Sequence, residues 1–118
     1  MEYPSKQVLK NFYGALFSGK LSKAEEILKR IQKRYNFKDG DGYYKALYGI
    51  YYVYLSDDRD SYLFNLLRKY FEGGESKESL KKSLKELLET SHEPPSDFIN
   101  AWLDLIDLLD SLPKPHKL

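Results

Sequence analysis

The stretch Tyr43-Tyr-Lys-Ala-Leu-Tyr-Gly-Ile-Tyr-Tyr-Val-Tyr-Leu55 decides the fold. It follows the breaker loop Asp39-Gly40-Asp41-Gly42 and carries a single charge, Lys45. Ala46, Leu47, Tyr48, Ile50, Tyr51, Val53 and Tyr54 make a helix from about Tyr43 to Leu55 apolar on nearly every side. Such a helix lies centrally in its packing, so the rest of the chain is read outward from it.

On the N-terminal side, Val8, Phe12, Ala15 and Leu16 share one face of a helix expected over Pro4 to Ser18, which Gly19 ends. Ser22 and Glu25 have the spacing of a capping box for a second helix, with Ala24, Ile27, Leu28, Ile31 and Tyr35 as its buried stripe. On the C-terminal side, Ser56 and Asp57 are cap candidates for a fourth helix carrying Tyr62, Leu63, Leu66, Leu67 and Tyr70, stopped by Gly73-Gly74. Ser76 caps a fifth with the narrow stripe Leu80, Leu84, Leu87 and Leu88, and with Glu78/Lys82 and Lys85/Glu89 spaced to pair on its other faces. Pro94-Pro95 forces a stop. Ser96 then caps a sixth helix with Phe98, Trp102, Leu105, Ile106 and Leu109. The expectation is one all-α domain over residues 1–112 and a frayed, flexible tail over 113–118.

The first, third and fifth helices start at steps of about 37 and 34 residues, each followed by a partner helix after a short loop, so the six helices group into three antiparallel hairpins. Two architectures fit that spacing: an open helical-repeat solenoid, in which each hairpin buries its face only against its neighbours, and a compact six-helix bundle. The first hairpin resembles a tetratricopeptide repeat in the order Gly19, Leu21, Ala24, Leu28 and Ile31, and Gly49-x-x-Tyr52 is similar to the glycine and tyrosine on the first helix of the next repeat. Phe12 and Asn36 depart from that pattern, and the third hairpin matches it only in length. The resemblance, over residues of about 8–70, implies an interaction scaffold that presents a concave helix surface to a peptide or partner protein.

Composition bounds the function classes. The chain has 118 residues, 42% hydrophobic and 31% charged, which suits one folded, soluble domain. Its longest uncharged stretch, Ala46 to Ser56, is too short for the ~20 apolar residues that span a bilayer, and Met1 to Lys10 lacks the apolar segment of a signal peptide. No membrane association and a cytoplasmic location are therefore expected. The absence of cysteine removes disulfides, thiolate metal sites and cysteine nucleophiles together. One Met, two Gln and four Asn beside abundant Lys and Glu match the composition of heat-adapted proteins.

The net charge of +1 conceals a polarity: residues 1–39 carry +5, residues 40–71 are neutral and residues 72–118 carry −4. Within the basic end, Lys29, Arg30, Lys33 and Arg34 form two adjacent i,i+4 pairs on the outer face of the second helix, with Lys20, Lys23 and Lys38 nearby. Within the neutral middle, Tyr44, Tyr48, Tyr51 and Tyr52 belong to a tyrosine cluster with more hydroxyls than a dry core can satisfy. Tyrosine is enriched at binding surfaces. These eight residues are the expected partner-binding set, for a protein or peptide first and for nucleic acid as the alternative, with phosphates on the cations and bases on the rings. The acidic last helix offers a homo-oligomer contact, with Asp104, Asp107 and Asp110 outward and Leu103 and Leu108 at the interface.

The signatures of chemistry are missing. His92 and His116 are not at ligand spacing from another histidine or a helical carboxylate, and Asp39-Gly-Asp41-Gly lacks the later oxygen ligands of a calcium loop. Asp57-Asp58-x-Asp60 reads as helix capping. No phosphate-binding glycine loop or nucleophile elbow is present. Three Leu-x-x-Leu-Leu matches, at Leu63, Leu84 and Leu105, lie on core stripes. The sequence therefore points to no catalytic residue, no metal and no cofactor, and to a non-enzymatic interaction module.

Overall fold

The computed structural model of the chain describes residues 3–89 and 96–118, and every regular element among them is helical. Met1, Glu2 and residues 90–95, with His92 and the Pro94-Pro95 stop, lie outside the described residues. The elements are α1 (Lys6–Phe17), α2 (Leu21–Arg34), α3 (Gly42–Leu55), α4 (Tyr62–Phe71), α5 (Lys77–Glu89), α6 (Ser96–Leu108) and a short 3-10 turn, Leu109–Ser111.

Local chemistry places the ends. Ser5, Ser61 and Ser76 accept the backbone N–H of Val8, Phe64 and Ser79, satisfying donors that a first helical turn leaves orphaned. Two expected caps are not used. Ser22 lies inside α2, whose N-cap is Lys20, and Ser56 and Asp57 close α3 rather than open α4. The cause is the same at both junctions. Gly19 at φ 83° lets the Gly19 and Lys20 N–H groups return to Leu16 and Ala15, and Asp57 at φ 60° lets Asp57 and Asp58 return to Tyr54 and Val53. Each Schellman closure takes up the linker residues that a capping box would need. Asn36 at φ 55° ends α2 in the same manner, and Gly73-Gly74 ends α4 as expected.

Consecutive helices form the three hairpins, and α3 is their hub: it packs on α2, α4 and α6. Its buried residues, Tyr43, Tyr44, Ala46, Leu47, Ile50, Tyr51 and Tyr54, occupy one side of the helix, and Lys45, Tyr48, Tyr52 and Leu55 on the other side are exposed, so a helix apolar on nearly every side is buried on only one. The largest helix interfaces are α3 with α6 and α1 with α2, and α1 also touches α6. That last contact joins the first hairpin to the third and closes the molecule, so the compact bundle, rather than the open solenoid, is the architecture. The radius of gyration of 13.5 Å agrees with the roughly 13.5 Å expected of a compact domain of this length.

On α5, Leu80 and Leu84 are buried and Leu88 packs against the core, whereas Leu87, expected on the core stripe, is 53% exposed. Residues 113–118, read from the sequence as a frayed tail, make specific contacts. The His116 N–H donates to the Phe17 carbonyl at 2.7 Å, its imidazole Nδ1 is hydrogen-bonded to the Tyr54 hydroxyl at 2.8 Å, and Lys117 Nζ donates to the Tyr54 carbonyl at 2.6 Å. The carboxylate of Asp57, read as part of a capping cluster, reaches Arg59 at 3.0 Å and Lys117 at 3.6 Å instead.

Candidate functional site

The tyrosines of α3 divide by helix face. Tyr43 and Tyr54 point into the core and settle their hydroxyls on polar groups of other segments, Asp104 Oδ2 at 2.6 Å and His116 respectively. Tyr44 and Tyr51, expected at the binding surface, are 9% and 7% exposed. They are a backing layer, not the surface, because α2 covers that flank of the helix. Tyr48 and Tyr52 are the exposed pair, at 50% and 57%. Their rings lie nearly parallel, 15° apart with centroids 6.4 Å apart, and Tyr44 and Tyr51 brace Tyr48 from below at 6.3 and 6.4 Å. Gly49, where a Cβ would meet nothing within 4 Å, leaves one flank of the pair open.

The four cations of α2 also divide. Lys29 turns toward α3: it pairs with Glu25 at 3.1 Å, and Glu25 in turn accepts the Tyr51 hydroxyl at 3.1 Å. Lys29 and then the Tyr51 hydrogen bond hold the Glu25 carboxyl below its ordinary range. A continuous polar-aromatic path therefore runs Lys29, Glu25, Tyr51, Tyr48, Tyr52. Arg30 and Arg34 lie on the opposite flank of α2, facing α1, with Arg30 bonded to Glu26 and the Arg34 guanidinium 5.6 Å from the Tyr35 ring centroid. Lys33 is exposed between the two flanks. The single patch read from the sequence is therefore split along the outer face of α2, with Lys29 toward α3 and Arg30 and Arg34 toward α1.

The flank of Arg30 and Arg34 borders a groove of about 700 Å³ between α1 and α2. Lys10, Lys20 and Lys23 join the two arginines at its rim, while Val8, Ala15, Ile27 and Ile31 line its floor. The sequence signal for this groove was present in α1: the face Val8, Asn11, Ala15, Ser18 repeats at three and four, and it is too polar and too small to be a full core stripe.

Elsewhere the polar groups are structural. The Lys77 and Lys81 side chains hold Asp110 and Asp107 across the α5/α6 interface, the former at 3.2 Å. Asp104 is half-buried against Tyr43 and Leu108 is in the core, whereas Leu103 is half-buried and Asp107 and Asp110 leave about half of their side chains in solvent. Burial holds the Asp104 carboxyl above its ordinary range, opposed by the Tyr43 hydrogen bond, and burial pushes the Tyr43 hydroxyl up. Among the described residues no three His, Cys, Asp or Glu side chains stand together as a metal site, and no helix is long and apolar enough to cross a membrane. No family model, no curated protein and no solved structure matches the chain.

Proposed function

We propose that the chain is a non-enzymatic, cytoplasmic protein-protein interaction module whose contact surface is the Tyr48/Tyr52 face of α3, edged by Lys29. The observation that carries this reading is the exposure of two large, nearly parallel rings on a helix whose other side is buried in the core. A tyrosine that merely filled a core would not leave half its ring in solvent. Two that stack on each other, one of them braced by buried Tyr44 and Tyr51, lose little side-chain entropy when a partner covers them, which is what makes aromatic anchors effective. The hydroxyls and the Lys29/Glu25 pair supply a polar rim.

Site-specific photo-crosslinking tests it. A benzophenone-bearing residue placed at position 48 or 52 should capture one and the same protein from source extract, and a probe at exposed Asp60 should not. With that partner purified, replacing both tyrosines by alanine should weaken binding at least tenfold. Equal capture from all three positions would overturn the proposal. Capture of nucleic acid, with affinity falling steeply in salt, would assign the face to the alternative class of partner.

A further inference from the structure

The α1/α2 groove is separate from the tyrosine face, since the two lie on opposite flanks of α2. Three features of it point outward. First, every charged side chain that lines it is a cation: Lys10, Lys20, Lys23, Arg30 and Arg34. The one carboxylate at its edge, Glu26, bonds Arg30 and reaches Lys23 only at 4.0 Å, which leaves the rim strongly positive. Second, its floor is open and carries Val8, Ala15, Ile27 and Ile31, with Asn11 and Ser18 between them. Gly14 sits in the middle of α1, where glycine weakens a helix, yet a Cβ there would meet nothing within 4 Å. No packing among the described residues calls for that glycine; what it provides is room for backbone to approach from outside. Third, the shape is that of a helix seat. Val8, Asn11 and Ala15 of α1 with its cap Ser18, and Lys23, Ile27, Arg30 and Arg34 of α2 with its cap Lys20, run along it at spacings of three and four, over about 15 Å, or roughly three helical turns.

We infer that this groove is a docking site for an acidic amphipathic helix of a partner protein: small and branched apolar residues of that helix at i, i+3 or i+4, and i+7 fill the floor over Gly14, and its Asp and Glu side chains flank them and meet the two cationic rims. The acidic last helix of a second copy does not suit the seat. Its carboxylates, and that of the turn after it, are already held, Asp97 by Tyr3, Asp104 by Tyr43, Asp107 by Lys81 and Asp110 by Lys77.

The experiment is a selection. A display library of 16-residue helix-favouring peptides is passed over the intact protein and depleted on its Gly14→Leu variant, which fills the groove without changing charge. The peptides that distinguish the two should carry Asp or Glu on both sides of an apolar i, i+3/i+4, i+7 stripe. The affinity of the best of them should fall at least tenfold in Arg30→Glu with Arg34→Glu, surface changes that keep the variant folded, and fall again between 50 and 300 mM salt, on the scale over which ~10 Å screening shrinks. Tyr48→Ala with Tyr52→Ala should leave it unchanged, so that loss of this inference and loss of the proposed tyrosine surface read differently. Enrichment of neutral or basic peptides, peptides bound equally by Gly14→Leu and by the arginine variant, tighter binding of a 15-mer of deoxythymidine than of any peptide, or selective binding of the chain's own 96–112 peptide would each overturn it.

Discussion

Two buried tyrosines of the same aromatic cluster should respond oppositely to loss of a single oxygen. The hydroxyl of Tyr13 is buried with no hydrogen-bond partner among the described residues, and burial pushes its pKa up. Removing an unpartnered buried polar atom removes a desolvation cost, so Tyr13→Phe should raise unfolding stability by about 1 kcal/mol. Tyr43 donates to Asp104, and Tyr43→Phe leaves a half-buried carboxylate without its donor, which should cost about 1.5–3 kcal/mol. Urea titration of both variants decides the matter; equal signs would refute the assignment. Asp104 adds a pH dependence. Its native pKa lies above the ordinary 3.8, so the folded chain holds this proton more tightly than the unfolded chain does. Its contribution is therefore favourable in acid and is lost as pH rises from about 3.8 through the native value. Asp104→Asn should flatten that fall while still accepting from Tyr43. Glu25 and Glu26, held low by Lys29 and Arg30, act in the opposite sense and lose their contribution as pH drops, but both are exposed and weigh little. Which tyrosines are free was not legible in the sequence. Periodicity reports a face only through contrast between apolar and polar sides, and α3 has almost none; Tyr44 and Tyr51 look like Tyr48 and Tyr52 until α2 is seen lying on them.

Helix ends show what local chemistry can and cannot announce. Ser76 and Gly73-Gly74 were readable because the residues that use them are all within one turn. Ser22 and Asp57 were not, because a Schellman closure of the preceding helix competes for the same few linker residues, and backbone hydrogen bonds won over side-chain caps. The closure at Gly19 carries an extra duty. Its φ of 83° disfavours a side chain, and a Cβ would stand 3.0 Å from the His116 ring. Gly74, at φ 66°, faces open space. Both alanine variants should pay the conformational penalty of about 1 kcal/mol. Gly19→Ala should cost more, and in addition should dislodge the tail, seen as faster hydrogen exchange of the His116 amide, which donates to the Phe17 carbonyl. Equal stability losses in the two variants, with unchanged exchange, would show that His116 is not seated there. The tail itself looked disposable in the sequence because its partners, the Phe17 and Tyr54 carbonyls and the Tyr54 hydroxyl, lie some sixty to a hundred residues upstream and leave no trace in local spacing.

At the scale of the whole molecule, the choice between solenoid and bundle rests on one non-local event, the meeting of α1 with α6, which no repeat length encodes. Its consequence is cooperative. In a solenoid each hairpin answers mainly to its neighbour, so damage to the first would leave the last to unfold later. In this bundle α1 touches α6 and both feed the core around α3, so damage at one end should be felt at the other at once. The single tryptophan makes this measurable: Trp102 lies on α6, edge-on to Tyr62 with ring centroids 5.3 Å apart. Phe12, fully buried in α1, is the place to strike. Phe12→Ala should cost about 3–5 kcal/mol, and the urea midpoint followed by Trp102 fluorescence should shift by as much as the midpoint followed by far-UV circular dichroism. A tryptophan transition that stays where it was, while helicity is lost earlier, would mean that the third hairpin stands without the first. The coincident shift expected here would also explain why the basic groove and the tyrosine face can sit on two sides of one slender helix without deforming it: α2 borrows its rigidity from a core that every helix shares.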